Sequence, residues 1–255
     1  MNDKILLNEM MFRVFHYKKV TSTNDIAKQH WLSGESLPFF VIADTQTNGR
    51  GRRDNIWNSN NNGNLYTTYV CSVKYEKIAS IAVLSQCVAI KICDVILQQL
   101  KINTNVKWPN DIFINNKKVG GILLETVVRD YENIVCIVGV GMNICQSPHL
   151  NNARYETTCL SEFSDSLSSL NDINNIILQS IASGHDMFLN IPQVDIINQW
   201  LKCDMHYNKI IEVTSNNGTF IGRDIGIDDT GALQLEQQNG DIIVVRESDA
   251  RIKIV

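Results

Sequence analysis

The sequence predicts an α/β protein of the α+β type that ends in a small all-β module. The chain has 255 residues, of which 44% are hydrophobic and 20% charged, as in an ordinary globular protein with a sizeable core. Residues 77–100 carry an apolar stripe at i, i+3, i+4 spacing, which is typical of a helix packed on a sheet. From Lys209 onward, short alternating runs are separated by Asn-Gly and Thr-Gly, which favours hairpins. We therefore predict a first domain at 1–205 and a second at 206–255.

The other elements follow from local patterns. In "TSTNDIAKQHWL", Ser22 or Thr23 can cap a helix and Asp25 suits its first turn. Apolar or β-branched runs predict strands at 39–44, 64–71 and 133–144. Helical spacing predicts helices at 171–189 and 192–203, the second of which follows Pro192.

A hairpin is predicted within "VKWPNDIFINNKKVGGILLETVV". Asn115 and Asn116 tolerate positive φ, so a two-residue turn there pairs Phe113 with Lys118. Residues of the same parity share a face, so Lys118 is expected to point into the same cavity as Asp111 and Lys107. The alternative for the two lysines is a solvent-facing charge on an edge strand.

Global composition excludes several classes of protein. The net charge is -4, which argues against a DNA partner. The seven cysteines are odd in number and lack C-x-x-C spacing, so we expect reduced thiols and a cytoplasmic location rather than a disulfide framework or a zinc site. The N-terminal segment does not resemble a signal peptide, and no run of about 18 apolar residues suggests a membrane partner.

The stretch "NGRGRRDNIW" is a candidate anion site. Glycines let backbone N–H groups approach an anion, and arginines supply forked donors for phosphate or carboxylate. The alternative is a solvated basic loop. The lone G-x-G of "GVGMN" is a poor signal for a dinucleotide fold, although Asn143 at its end could read a base edge.

No nucleophile or general base is apparent, and the five histidines show no spacing typical of metal ligands. The cations, glycines and amides instead suit a reaction whose nucleophile is already an anion. In such a reaction, negative charge develops on phosphate in the transition state.

Four motifs together resemble the biotin protein ligases. "STN", "Q-x-x-GRGRR" followed by Trp, "KWPND-x(6)-K-x-GG" and "GVGMN" stand in the family's order. The resemblance covers nearly the whole chain. It implies a mixed sheet packed with helices, as in the class II aminoacyl-tRNA synthetase-like biotin/lipoate ligases, and a small C-terminal SH3-like barrel.

The resemblance also implies an activity. Biotin and ATP form biotinyl-5′-AMP, with Mg²⁺ as cofactor, and biotin then passes to a lysine of a biotin carboxyl carrier domain. The implied catalytic residues are Lys118, Arg50 and Arg52. The implied biotin site comprises Ser22, Thr23, Asn24, Gln46, Gly49, Arg50, Gly51, Arg52, Lys118 and Gly121. The implied nucleotide site comprises Arg52, Arg53, Trp57, Lys107, Asn110, Lys118 and Asn143, and Asp111 is the implied metal ligand.

Two departures from the family pattern occur in the arginine motif. Asp54 and Asn55 replace a glycine and an arginine, which predicts altered loop closure and weaker nucleotide binding. Only about 20 residues precede "STN", so a DNA-binding repressor module is not expected. The alternatives are a lipoate-protein ligase and a non-catalytic biotin-binding protein, and a homodimer is possible.

Overall fold

The computed structural model describes residues 2–7, 10–52, 55–59, 63–128, 132–148, 155–164, 169–215, 217–246 and 251–255. The helices are α1 (Thr23–Leu32), α2 (Val83–Val95), α3 (Leu170–Asn190) and α4 (Gln193–Cys203). The first eight strands are β1 (Asn2–Leu7), β2 (Met10–Val20), β3 (Phe39–Gln46), β4 (Leu65–Lys74), β5 (Asn105–Lys107), β6 (Asp111–Ile114), β7 (Lys117–Val128) and β8 (Asn133–Met142). The remaining strands are β9 (Ile210–Ser215), β10 (Gly218–Ile227), β11 (Leu233–Glu236), β12 (Ile242–Val245) and β13 (Arg251–Ile254).

The first eight strands form one mixed sheet in the order β1-β2-β3-β4-β8-β7-β6-β5. Strand β2 runs parallel to β3, and every other neighbouring pair is antiparallel. The predicted mixed α/β class is confirmed. Strands β1 and β2 were not predicted, because their residues mix charged and apolar side chains without strict alternation.

The long central helix is more irregular than its apolar stripe predicts. Residues Tyr75–Ser80 form a 3₁₀ segment, α2 follows, and Ile96–Leu100 form a π turn that ends at Lys101 with φ of 58°. The stretch Val83–Leu100 is long and apolar enough to cross a membrane by length and composition, and 61% of it is buried inside the fold. Helix α2 packs against α3 and against β5, β6 and β7, which explains its apolar surface.

The other helices begin near the predicted positions for identifiable reasons. Ser22 is the N-cap residue of α1, although its side chain makes no capping bond. Ser169 caps α3 by accepting a hydrogen bond from the backbone N–H of Asp172. Pro192 precedes α4, as its fixed φ and missing N–H favour.

The predicted Asn-Asn hairpin is confirmed. Asn115 and Asn116 have φ of 48° and 64°, and Phe113 pairs with Lys118. The register shifts by one residue beyond this pair. A second, unpredicted turn at 108–110 reverses the chain between β5 and β6, so that Lys107 pairs with Asp111 on the neighbouring strand.

The last five strands form a separate antiparallel sheet in the order β12-β11-β10-β9-β13. The predicted boundary at 205/206 falls between α4 and β9. Two side chains of the first domain, Gln86 and Trp108, donate to the carbonyl of Gly231, which connects this sheet to the first domain. Whether these strands close into an SH3-like barrel stays a prediction.

All seven cysteines are free thiols in this structure, and all but Cys145 are buried. Burial raises the pKa of Cys87 and of Cys93 to about 12. Such thiols are poor nucleophiles and act as packing residues.

Candidate active site

A cavity of about 380 Å³ opens over the middle of the mixed sheet. Its walls come from the N-terminus of α1, the end of β3, strands β4, β6, β7 and β8, and the "arginine loop", which we define as residues 48–52 and 55–59. The lining residues include Ser22, Thr23, Asn24, Gln46, Arg50, Gly51, Arg52, Asn55, Trp57, Thr67, Asn110, Asp111, Lys118, Gly121, Gly139, Gly141, Tyr155 and Thr157. Motifs far apart in the sequence therefore meet in one space.

One end of the cavity carries a network of neutral polar groups. Gln46 Oε1 accepts from the backbone N–H of Thr23 at 2.8 Å, and its Nε2 donates to Ser59 Oγ at 2.8 Å. Thr68 Oγ lies 2.9 Å from Thr23 Oγ1 and 2.6 Å from Asn24 Oδ1. These five side chains are held in fixed orientations by their hydrogen bonds to one another and to the backbone, which suits recognition of a small neutral polar group.

The floor of the cavity consists of glycines because other side chains occupy the space above them. Gly121 and Gly141 are register partners on β7 and β8, and the indole of Trp57 lies over both. A Cβ on Gly141 would overlap that indole, and a Cβ on Gly139 would overlap the amide of Asn24. Glycine at positions 121 and 141 thus leaves room for the Trp57 ring against the sheet.

Arg50 is held by two carboxylates of the protein. Its guanidinium donates to both oxygens of Asp25, at 2.6 and 2.7 Å, and more weakly to Glu125 at 3.3 Å. The hydrogen bond to Asp25 raises the pKa of Arg50. Glu125 also accepts from Asn24 at 2.6 Å. Arg50 therefore connects the arginine loop to α1 through Asp25 and to β7 through Glu125. In this structure its anionic partners are side chains of the protein.

The other end of the cavity contains the two cations Lys118 and Arg52. Lys118 Nζ lies 2.8 Å from Asp111 Oδ1 and 5.2 Å from the centre of the Trp57 ring. Arg52 donates to Asn110 Oδ1 at 2.8 Å. Asn110 in turn donates to the carbonyl of Ile122, which fixes its amide. The predicted shared cavity of Lys118 and Asp111 is confirmed.

Two family profiles match the chain. The biotin/lipoate A/B protein ligase family matches residues 17–143, and the biotin protein ligase C-terminal domain matches residues 206–250. The chain belongs to the biotin protein ligase family. Membership of this family makes it a ligase that acts on biotin.

Three relatives of known sequence match most of this chain. The bifunctional ligase/repressor BirA of Bacillus subtilis is 28% identical over 241 residues, which cover 92% of this chain and 73% of that protein. The Escherichia coli ligase/repressor is 27% identical over 199 residues, covering 77% of this chain and 61% of its own. The human biotin–protein ligase is 23% identical, with 83% of this chain and 30% of that protein covered.

Solved structures of biotin protein ligases share the fold. The Aquifex aeolicus enzyme in complex with biotin and ATP superimposes with a TM-score of 0.80 at 21% identity, covering 95% of this chain and 99% of that one. The Leishmania major enzyme with biotinyl-5-AMP gives a TM-score of 0.59 at 22% identity, covering 92% and 98%.

Three residues predicted to contact nucleotide or biotin do not line the ligase cavity. Gly49 lies behind it, packed against Ser59 and the carbonyl of Trp57. Asn143 is buried and donates to the carbonyl of Thr158, with its own carbonyl oxygen unpaired within the described residues.

Lys107 is the third of these residues, and its expected place beside Lys118 is wrong. Its ammonium donates to the carbonyl of Ile252 at 3.3 Å and lies 4.1 Å from the centre of the Tyr155 ring. The turn at 108–110 places Lys107 on a separate strand, where its side chain reaches toward the second domain. Arg53 and Asp54 lie outside the described residues.

Four residues of the ligase site were missed by sequence reasoning. Asp25 was interpreted only as a favourable helix-start acid, and Glu125 stands unmarked in a strand-like run. Thr68 and Tyr155 belong to no motif. Tyr155 lines the cavity itself, whereas Asp25, Glu125 and Thr68 bond to Arg50 or Asn24 in its wall, and only the three-dimensional fold brings these residues together.

Proposed function

We propose that this cavity activates biotin with ATP and that the same site then passes biotin to a lysine of a carboxyl carrier domain. The observation that supports this most strongly is the two-ended cavity. A fixed neutral network lies at one end, with Gln46 and Asn24, and the cations Lys118 and Arg52 lie at the other. Biotin has the same polarity, with a neutral ureido ring at one end and a carboxylate at the other.

The neutral network fits the ureido ring in hydrogen-bonding capacity. The ring offers one carbonyl acceptor and two N–H donors. The Ser22 hydroxyl can donate to the carbonyl, and the amide oxygen of Asn24, which accepts one bond from Thr68, can accept from one N–H group. If the Thr23 hydroxyl turns from Gln46 Oε1 to the ring carbonyl, Gln46 Oε1 is released to accept from the second N–H group. Because these side chains are buried and already oriented, little side-chain entropy is lost on binding.

In the first step an oxygen of the biotin carboxylate attacks the α-phosphorus of ATP. The new bond is O–P, the bond from the α-phosphorus to the bridging oxygen breaks, and pyrophosphate leaves with that electron pair. The nucleophile is already an anion, so no base is needed. What is needed is alignment and cancellation of charge between two anions. Lys118 and Arg52 provide positive charge at the reacting end of the cavity.

The residues beside Lys118 fit a magnesium ion. Asp111 offers a carboxylate and Asn110 an amide oxygen, and both line the cavity. Mg²⁺ prefers hard oxygen ligands and commonly takes one or two carboxylates together with substrate phosphates. The ion would neutralise phosphate charge. If Asp111 turns to the ion, the ammonium of Lys118 is released from its present partner.

In the second step the amine of the carrier lysine attacks the acyl carbon of biotinyl-AMP. A C–N bond forms, the C–O bond to phosphate breaks, AMP leaves, and the amine loses a proton to solvent. Water would attack the same carbon, so the intermediate must be shielded. The arginine loop can supply this shield, since Arg50 fastens it to Asp25 and Glu125 across the cavity.

A direct test mixes the ligase with ATP, biotin and a biotin carboxyl carrier domain, followed by streptavidin detection of the carrier. We expect labelling that depends on both substrates and falls at least 100-fold in Lys118→Ala. Lys117→Ala is the matched control, because that lysine is 45% exposed and pairs with Glu156. Unlabelled carrier with the intact enzyme would indicate a lipoate ligase or a simple binder, which a lipoate reaction and a biotin titration then separate.

The identity of the carrier, a homodimer, a cytoplasmic location and the absence of a DNA partner stay predictions. Gel filtration of the purified chain with and without biotin tests the dimer. The roles of Trp57 and Asn143 at the adenine also remain proposals, to be tested by ATP titration of alanine variants.

A further inference from the structure

A buried group of potential metal ligands lies where the two domains join. Asp204 follows α4, His206 lies in the connection between the domains, and Asp224 belongs to β10. One ligand atom from each lies within 4.8 Å of the others. Their exposed fractions are 8%, 2% and 0%, and none of the three lines the ligase cavity. The group thus spans the junction and is separate from the active site.

Two atoms of this group lack a hydrogen-bond partner. Each oxygen of Asp204 accepts one hydrogen bond, from Trp200 Nε1 at 2.8 Å and from the backbone N–H of His206 at 2.9 Å, and keeps a second lone pair that can bind a metal ion. Asp224 accepts from the N–H of Gly226 at 2.8 Å through one oxygen. Its other oxygen, and Nδ1 of His206, have no partner among the residues that the structure describes. A buried polar atom without a partner is costly, so a missing ligand is indicated.

The two lysines near the group donate their hydrogen bonds to backbone carbonyls and not to Asp224. Lys209 faces Asp204 but donates to the carbonyl of Met205 at 2.8 Å. Lys107 is committed to the carbonyl of Ile252 and to the ring of Tyr155. Burial, followed by repulsion from Asp204, raises the pKa of Asp224 to about 8. Both lysines thus donate to backbone carbonyls, at Met205 and Ile252.

His206 is in the form that binds metals. Burial, followed by the positive charges of Lys107 and Lys209, lowers the pKa of His206 to about 4. The imidazole is consequently neutral at physiological pH, so its unpaired Nδ1 can offer a lone pair. The hydrogen bond from Trp200 orients Asp204, as ligands in metal sites are commonly oriented by neighbours.

We propose that Asp204, His206 and Asp224 bind one divalent ion of the zinc or manganese class, and that this ion fastens the C-terminal domain to the catalytic domain. Mixed imidazole and carboxylate ligands suit these ions better than Mg²⁺, which prefers oxygen alone. Ligand atoms about 2.1 Å from one ion lie about 3 to 4 Å apart. The observed spacing within 4.8 Å needs only small side-chain rotations to reach that range.

The test measures metal content and thermal stability, so its outcome is independent of biotin ligation. The whole chain carries Cys145→Ser, because the exposed thiol of Cys145 could bind zinc by itself. After treatment with EDTA, the protein receives Zn²⁺ or Mn²⁺ and is freed of excess ion by gel filtration, and the retained metal is counted. Asp224→Asn and His206→Gln are the test variants, and Asp229→Asn, which removes an exposed carboxylate of the same domain, is the control.

We expect one ion per chain in the parent and in the Asp229→Asn control. Metal at 100 times its Kd should raise their Tm by about 5 to 10 °C. Asp224→Asn keeps an acceptor for the N–H of Gly226 and should fold, which circular dichroism checks, yet it should lose the ion and the shift.

Retention of no ion by the parent would overturn the proposal, as would equal retention by Asp224→Asn and His206→Gln. A Tm that responds to pH and not to either metal would assign the group to a shared proton instead.

Discussion

The fit between Gly139 and Asn24 gives a prediction whose size follows from the structure. A Cβ on Gly139 would overlap the Asn24 side-chain oxygen, and its amide carbon and nitrogen would lie 3.1 and 3.2 Å away. Gly139→Ala must therefore displace the amide. Asn24 then loses the hydrogen bond to Glu125 and the one from Thr68, each 2.6 Å long. One of these bonds involves a charge and the other is neutral.

The loss can be estimated from those two bonds. A bond to a charged group contributes about 1.5–3 kcal/mol and a neutral bond about 0.5–1.5 kcal/mol, so Gly139→Ala should destabilise the fold by about 2–4 kcal/mol. Without an oriented Asn24, biotin loses one hydrogen bond, and its affinity should fall about 10-fold. In the Asn24→Ala background the same Gly139→Ala change should have little further effect, because the obstructing amide is gone.

Calorimetric titration of biotin and thermal unfolding of the two single variants and the double variant measure this coupling. Wild-type biotin affinity in Gly139→Ala would refute the reasoning. So would strictly additive losses in the double variant, because they would mean that the two positions act independently.

Three further predictions concern the loop, the indole and pH. Asp25→Asn should release Arg50 from its two-bond contact, so limited trypsin cleavage in the arginine loop should become severalfold faster without biotin, and unchanged cleavage would contradict the contact. Biotin should change the tryptophan fluorescence by moving Trp57 on the glycine floor, and Trp57→Phe should abolish that change. Burial lowers the pKa of His185 in the folded protein below the value of 6.5 for the free side chain. As the pH falls below 6.5, the unfolded chain therefore takes up a proton before the folded chain does, and the folded state loses stability. His185→Gln can keep a bond to the Tyr69 hydroxyl and should show a smaller fall in Tm between pH 7.5 and 5.5, and an identical fall would contradict this.

Most of the regular structure could be predicted from local patterns. The stripe at 77–100, the Asn115–Asn116 turn and the alternating runs after Lys209 each report the structure of their own segment, because side-chain periodicity follows backbone geometry. The π turn at Ile96–Leu100 was not predictable from the stripe, since a π turn and an α turn bury nearly the same side chains.

The sequence predicted contacts of the candidate site only where both contacting residues belong to the same short motif. Lys118 and Asp111 flank a single short hairpin, so strand parity was enough to bring them together. Lys107 failed the same reasoning, because the turn at 108–110 moved it to another strand. Asp25 and Glu125 meet Arg50 across three separate segments, and no local pattern contains that information.

The interdomain group illustrates the same limit. Asp204 and His206 are two residues apart in the connection after α4, but Asp224 comes from β10 of the C-terminal sheet. Histidine spacing along the chain therefore offered no sign of a ligand set. The unpaired atoms of His206 and Asp224 become visible only when hydrogen bonds are accounted for in three dimensions.

The most direct measurement of the central claim is the rate of biotinyl-AMP formation, followed as biotin-dependent exchange of pyrophosphate into ATP. Lys118→Met removes the ammonium while keeping much of the side-chain volume, and Lys117→Met is the control for a neighbouring, outward-facing lysine. We predict that exchange falls about 100- to 1,000-fold in Lys118→Met, as for loss of one donor to developing charge, while Lys117→Met stays within about twofold. Near-normal exchange by Lys118→Met, or equal losses in both variants, would contradict the claim that this lysine cancels charge where biotin meets the α-phosphate.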